Sequence, residues 1–191
     1  MAQFVVPQLE SDRVYRTRDF AAWQKNPPRF VKRLERLGLL RRLSHGLYVH
    51  PRMSRFGLVP PGDDALMRRF LDDTPFVFTG SEAWNALGLG TTAVLSAPRV
   101  YNTKRSGRFV LGGRPFDLYR IAFPEHPPRE WFVVDLFSHS DMVGASQDDL
   151  GTALELQVRR GVFDSERLRA MAARYATKAI QSGIEHALRA A

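Results

Sequence analysis

The sequence predicts an α+β protein built in two modules, and three observations carry that prediction. Hydrophobic spacing alternates between helical stretches and short hairpins along the chain. The net charge of +8 on 191 residues is confined to one end: residues 1–58 hold 12 Lys+Arg against 4 Asp+Glu, and residues 59–191 hold 16 of each. That charge step coincides with Gly57-Leu58-Val59-Pro60-Pro61-Gly62, where paired prolines between glycines break regular structure. The modules are therefore expected at residues 1–58, strongly basic, and 62–191, neutral overall.

Composition narrows the class further. A hydrophobic fraction of 44% with 25% charged residues belongs to a chain that folds around a core. With zero cysteines, disulfide scaffolds, thiolate metal sites and cysteine nucleophiles are all excluded. No apolar run approaches the roughly 18 residues that a membrane span requires. Met1-Ala2-Gln3-Phe4 lacks the charged-then-apolar pattern of a secretion signal. A soluble, cytoplasmic protein with no membrane partner is the expectation.

In the first module, residues 3–11 read as weakly helical or irregular. Thr17 is placed to cap a short helix over 18–24, with Phe20 and Trp23 on its buried side. Asn26-Pro27-Pro28 makes a turn that leads into a second helix over 28–37, ended by Gly38. Residues 39–43 and 47–50 read as two strands around Ser44-His45-Gly46, and Pro51 stops the second.

The second helix carries the strongest functional signal. On a helical wheel Phe30, Val31 and Leu37 lie within about 60° of Leu34, whereas Arg29, Lys32 and Arg36 lie within about 40° of the opposite direction. Arg33 sits on one flank and Glu35 on the other. Two helices across a tight turn, followed by a hairpin, form the order of a winged helix-turn-helix, whose second helix enters the major groove. Arg29, Lys32, Arg33 and Arg36 are then expected in or along the groove of double-stranded DNA, because arginine is the best donor to guanine. Arg41, Arg42 and His45 would form a positive wing, and Arg16, Arg18 and Lys25 would touch phosphates. Arg52 and Arg55 extend the basic surface. A solvated amphipathic helix is the alternative reading of the cationic face alone; the hairpin and the charge confinement favour DNA.

The second module begins with a helix over 63–71. A buried strand at 76–78 follows, then a helix over 82–87 capped by Thr79 or Ser81 and ended by Gly88-Leu89-Gly90. A strand at 99–102 precedes a hairpin of 109–111 and 115–121 around Gly112-Gly113. The tail reads as helices over 129–139 and 147–160 and one long helix from 164 onward, in which Leu168, Met171, Tyr175 and Ala179 recur at helical spacing. The fold class is thus a winged helix-turn-helix followed by a mixed α+β domain with a helical C-terminal tail.

Several motifs carry less. Gly88-x-Gly90-x-x-Ala93 imitates a dinucleotide fingerprint but closes a helix instead of opening one. Gly80-Ser81 resembles the start of a nucleotidyltransferase motif, with no Asp-x-Asp at a usable distance to hold magnesium. Asp135, His139 and Asp141 form a possible metal trio for a nuclease, although a polar helix face is the preferred reading. The doublets Asp63-Asp64, Asp72-Asp73 and Asp148-Asp149 fall at helix ends. Trp84, Trp131 and the phenylalanines are expected in the core. Lys104, Arg105 and Arg108 form a small basic cluster, either a solvated loop or a second phosphate or RNA contact. No catalysis and no cofactor are expected.

Val14-Tyr15-Arg16-Thr17-Arg18-Asp19-Phe20, followed by the cationic helix and Leu37-Gly38-Leu39-Leu40-Arg41-Arg42-Leu43-Ser44-His45-Gly46-Leu47-Tyr48-Val49, resembles the N-terminal winged helix of AbiEi-like antitoxins. Phe78-Thr79-Gly80-Ser81-Glu82-Ala83-Trp84-Asn85-Ala86-Leu87-Gly88-Leu89 resembles the start of that family's second domain, as does Thr103-Lys104-Arg105-Ser106-Gly107-Arg108 before its glycine hairpin. The resemblance covers residues 13–125. It implies a repressor of its own operon that binds inverted repeats and a C-terminal domain that counteracts a nucleotidyltransferase-like toxin, in a type IV system that needs no tight complex with the toxin. Asn26-Pro27-Pro28 departs from the usual Ser/Thr cap at the start of the recognition helix. A monomer or weak dimer whose copies pair on DNA would suit such repeats. The alternative is a stand-alone winged-helix regulator with a ligand- or partner-sensing C-terminal domain.

Overall fold

The computed structural model of the chain describes Val6 and residues 8–191, and its architecture is mixed α+β with a helical C-terminus. It divides into two compact units, Met1–Pro75 with Phe109–Pro115, and Phe76–Arg108 with Phe116–Ala191.

The first unit contains β1 (Val14–Arg16), a 3-10 helix (Thr17–Ala22), α1 (Pro27–Arg36), β2 (Arg41–Ser44), β3 (Leu47–Val49), β4 (Arg52–Ser54), β5 (Gly57–Val59) and α2 (Asp63–Phe70). β3 is the central strand of a sheet of order β1-β3-β2, antiparallel to both neighbours, so Val49 faces Val14 on one side and Arg41 on the other. The period-3.6 residues Phe30, Val31 and Leu34 of α1 are buried with Tyr15, Phe20, Leu40 and Tyr48. α1 begins where the Asn26 side chain accepts the Arg29 amide at 3.2 Å, with prolines in the first two helical positions. Asparagine therefore supplies the cap that a Ser/Thr residue would otherwise provide. Gly38, at φ 71°, takes the left-handed conformation that turns the chain out of the helix.

Four local expectations change. The short first helix is 3-10 and starts one residue earlier than expected, and Arg16 rather than Thr17 holds its N-cap position, where the Arg16 amide donates to Asp19 Oδ2 at 2.8 Å. Trp23 is 48% exposed because the chain has already left the helix, although its ring still touches Phe20. Leu37 is 55% exposed for the same reason, at the end of α1. The β4–β5 hairpin puts Gly57–Val59, the start of the expected loop break, in a strand. Residues 8–11 lack helix or strand, and residues 3–5 and 7 lie outside the described residues.

The boundary between the units falls after Pro75 and not at the Gly57–Gly62 loop, because α2 is tied to the first unit. The Arg16 guanidinium donates to the carbonyls of Arg69 and Phe70 at 2.7 Å each, and Arg69 pairs with Asp19. The Pro60-Pro61 break is real in sequence, but polar bonds reach across it.

The second unit contains β6 (Phe76–Thr79), α3 (Ser81–Asn85), β7 (Arg99–Asn102), β8 (Gly107–Leu111), β9 (Arg114–Arg120), α4 (Arg129–Phe137), a 3-10 turn (Ser140–Val143), α5 (Gln147–Arg159), α6 (Ser165–Tyr175) and α7 (Lys178–Ala190); the hairpin tip 109–115 groups with the first unit. Its sheet has the order β6-β7-β9-β8, with β6 antiparallel and β9 parallel to β7. All four residues of β7 are buried. Gly80, at φ 95°, enters α3 in a left-handed conformation that disfavours a side chain; a Cβ there would also lie 2.9 Å from Leu95 Cδ1, which would have to shift. α4 is apolar nearly all round and lies in the core with Trp84, Leu150, Leu154, Leu168 and Ile184. The long terminal helix read from sequence is two helices: Ala176 is extended at φ −106° and ψ 157°, and Thr177 Oγ1 accepts the Ile180 amide at 3.4 Å to start α7. Among the described residues no helix is long and apolar enough to cross a membrane.

Candidate functional site

A groove of about 620 Å³ runs over the first unit between the 3-10 helix, α1 and the β2–β3 turn. Its cationic lining comprises Arg16, Arg18, Lys32, Arg42 and His45, with Glu35 as its acid and Tyr48 behind. Arg29, Lys32, Arg33 and Arg36 are exposed on the face of α1 opposite Phe30, Val31 and Leu34. Helical periodicity makes this arrangement, since an apolar stripe that enters the core leaves the remaining arc in water. Arg36 Nε donates to the Lys32 carbonyl at 3.4 Å, which holds its head along the helix surface. Lys25 is exposed in the turn before α1.

The structure separates residues that the sequence had grouped. Arg16 is partly buried, with its guanidinium on the carbonyls of Arg69 and Phe70 and its Nε 2.8 Å from Asp72 Oδ1. Arg18 Nη2 lies 2.6 Å from the same carboxylate oxygen. Both residues line the groove, yet their charge is spent on α2 and its C-terminal acid. Arg41 and Arg42 also diverge, because neighbouring strand residues point to opposite faces. Arg42 lines the groove, donating to the Ser44 carbonyl at 3.3 Å and lying 3.5 Å from His45 Nδ1. Arg41 lines a separate small cleft with Leu43, Leu58 and Leu111. Arg52 and Arg55 are exposed on the β4–β5 hairpin, where the Arg55 guanidinium stands 4.6 Å from the centre of the 86%-exposed Phe56 ring.

In the second unit, Lys104, Arg105 and Arg108 sit around a loop built on buried Asn102. Asn102 Oδ1 accepts the amides of Lys104 and Arg105 at 2.9 and 2.8 Å. Arg108 donates to Ser96 Oγ at 3.0 Å and pairs with Asp117 at 3.2 Å, so its charge is compensated locally.

The trio at residues 135–141 resolves differently from either reading. Asp135 is 6% exposed, and its carboxylate accepts from Trp84 Nε1 at 2.8 Å, from the Tyr101 hydroxyl at 2.7 Å and from the Thr79 hydroxyl. It is a core anchor and not part of a polar helix face. His139 Nδ1 lies 2.8 Å from the Asp135 carbonyl, which can only accept, so Nδ1 carries a proton, and in the neutral ring Nε2 accepts from Arg99 Nη1 at 3.0 Å. The His139 ring also stacks on Trp84. Asp141 is exposed on the 3-10 turn, and no group of three His/Asp/Glu among the described residues could hold a metal ion. Burial alone would raise the Asp135 pKa, but hydrogen bonds from His139, Thr79 and Tyr101 outweigh it and hold the carboxyl below its ordinary range. Burial and Asp135 push the Tyr101 hydroxyl up, which keeps it a donor. Sequence reading missed Arg99 in this cluster; an arginine inside the apolar strand 99–102 was the available signal.

No family model and no curated protein matches the chain. Among solved structures, the crystal structure of the RV2827C protein from Mycobacterium tuberculosis is similar, with a TM-score of 0.53 and 15% sequence identity over 93% of this chain and 72% of that one. At that identity the likeness is one of fold alone.

Proposed function

We propose that the first unit is a winged helix-turn-helix that binds double-stranded DNA, with α1 as the recognition helix and the β2–β3 turn as its wing. The observation that carries this reading is the exposure of Arg29, Lys32, Arg33 and Arg36 on one face of α1, beside a groove completed by Arg42 and His45. Strand order β1-β3-β2 around a helix pair is compatible with it. Cations on a helix that fits the major groove can neutralise phosphates and reach base edges at once. With Arg16 and Arg18 held by Asp72, about five or six phosphate contacts remain, and log affinity is expected to fall with log salt at a slope of roughly −4.5 to −5.5. Fluorescence anisotropy on duplex DNA from upstream of the gene measures this, and a flat salt dependence overturns the assignment.

The resemblance to AbiEi-like antitoxins supports a cytoplasmic autorepressor that acts by binding, without catalysis, and whose second unit counteracts a nucleotidyltransferase-like toxin. Co-expression with a neighbouring reading frame that carries a nucleotidyltransferase motif tests it: growth is rescued by the full chain, and absence of rescue overturns the antitoxin role while leaving DNA binding to the anisotropy measurement.

A further inference from the structure

The second unit holds a cavity of about 260 Å³ whose chemistry the DNA-binding reading does not use. Arg99, Tyr101, Tyr119, Trp131, His139 and Tyr175 line it, and Ala122 stands among its exposed residues. Arg99 is 7% exposed, yet among the described residues its guanidinium makes no ion pair. Its partners are His139 Nε2 at 3.0 Å, the Tyr101 hydroxyl at 3.4 Å and Met142 Sδ at 2.9 Å, none of them an anion and the last a weak acceptor. Its Nε–H donates to none of them. Burying a guanidinium without a carboxylate is costly, because each N–H gives up water and the charge loses its solvation. The nearby Asp135 gives Arg99 no direct acceptor, since its oxygens are taken by Trp84, Tyr101 and Thr79.

We propose that this cavity binds a small aromatic carboxylate, the carboxylate forked on Arg99 and the ring held among Tyr119, Trp131 and Tyr175. A guanidinium presents a planar pair of donors that matches a carboxylate. The Tyr119 ring lies 4.2 Å below the Arg99 charge, so a π wall continues directly from the anion site. Tyr101 sets its edge against Tyr119 and Trp131 at 6.0 Å each, which fixes the walls as a rigid slot. The single guanidinium matches the charge of a monoanion and leaves half the charge of a phosphate dianion unmet. The volume takes a single ring with its acid group and no nucleotide.

Isothermal titration calorimetry on the full chain with benzoate tests the proposal, with benzamide, cyclohexanecarboxylate and inorganic phosphate as controls. Benzoate is expected to bind one-to-one with a dissociation constant of roughly 0.1–1 mM. Benzamide, which lacks the charge, and cyclohexanecarboxylate, which lacks the π face, are each expected to be weaker by about tenfold or more. Arg99→Gln and Ala122→Trp are each expected to lower benzoate affinity by at least about tenfold. Ala122→Trp fills the cavity from an exposed position that makes none of the Asp135 hydrogen bonds, so it decides the matter even if Arg99→Gln fails to fold. No saturable binding of benzoate up to about 10 mM, binding unchanged in Ala122→Trp, or a preference for phosphate overturns the proposal. The site lies wholly in the second unit, so this outcome is independent of the DNA measurement.

Discussion

Asp72 Oδ1 sits 2.8 Å from Arg16 Nε and 2.6 Å from Arg18 Nη2, so one carboxylate at the end of α2 holds two arginines that the sequence assigns to DNA. The Arg16 side chain also closes on two main-chain carbonyls, which makes it a structural tie. Arg16→Ala is therefore expected to cost about 2 kcal/mol of stability, the scale of charged hydrogen bonds, and to leave the salt slope of DNA binding unchanged. Lys32→Ala is expected to do the reverse, with near-native stability and a slope shallower by about one. Urea unfolding and anisotropy on both variants separate the roles, and a shallower slope in Arg16→Ala overturns the structural assignment.

Asn26 places the first turn of α1, where prolines in the first two positions leave the Arg29 amide as the donor the cap must satisfy. Asn26→Ala is expected to lose about 1 kcal/mol and to weaken DNA binding through a frayed helix start. Asn26→Asp keeps the acceptor and favours the helix dipole, so stability should return; its negative charge should still oppose a phosphate. Thermal melts that fall equally for the two variants would contradict the capping role.

The Asp135 carboxylate gathers Thr79, Trp84 and Tyr101 from three separate elements of the second unit. Asp135→Ala leaves three buried donors without an acceptor and is expected to cost about 3–5 kcal/mol in urea unfolding. Asp135→Asn retains one carbonyl oxygen and should cost less. A loss below about 1 kcal/mol for Asp135→Ala would show that water or repacking satisfies those donors.

Stability should have a maximum in mildly acidic solution. The folded pKa of Asp135 is lowered, so its contribution is full above the ordinary carboxylate value near ~3.9 and is lost as pH falls through the folded value. For His139, burial alone would lower the pKa, but the Asp135 side chain and carbonyl raise it; its contribution is full below the ordinary value near ~6.5 and is lost as pH rises through the folded value. Melting temperature measured against pH should therefore fall on both sides of that window. Asp135→Asn should flatten the acid limb and, by removing the carboxylate that raises His139, weaken the other; His139→Gln should flatten the other, and unchanged limbs would contradict the assignment.

The parts of this molecule legible in its sequence are those governed by near neighbours. The two faces of α1 follow from residues three and four apart, and Asn26, Ser146 and Asp164 cap their helices within three residues. β6, β7 and α2 to α5 lie close to where composition and punctuation put them. The break at Ala176 leaves little trace in the sequence because alanine and threonine interrupt no helical pattern; the Thr177 hydroxyl, capping α7, and the Gln181 amide, on the Ala176 carbonyl, hold it. The β4–β5 hairpin was masked because its exposed Met53 and Phe56 lack the alternation that marks a half-buried strand.

Sequence by itself determined the two-part charge distribution and the cationic helix, since both depend only on residue identity and local period. The tertiary structure decided which cations remain available. Arg16 meets carbonyls more than fifty positions away, and Arg41 and Arg42 part company because a pleated strand alternates its side chains. It also decided that Asp135 is buried and that Arg99 lines a cavity with no acid paired to it among the described residues. Partners so far apart in the chain leave no periodic trace, because their meeting is fixed by how β7 and α4 pack and not by any spacing between them.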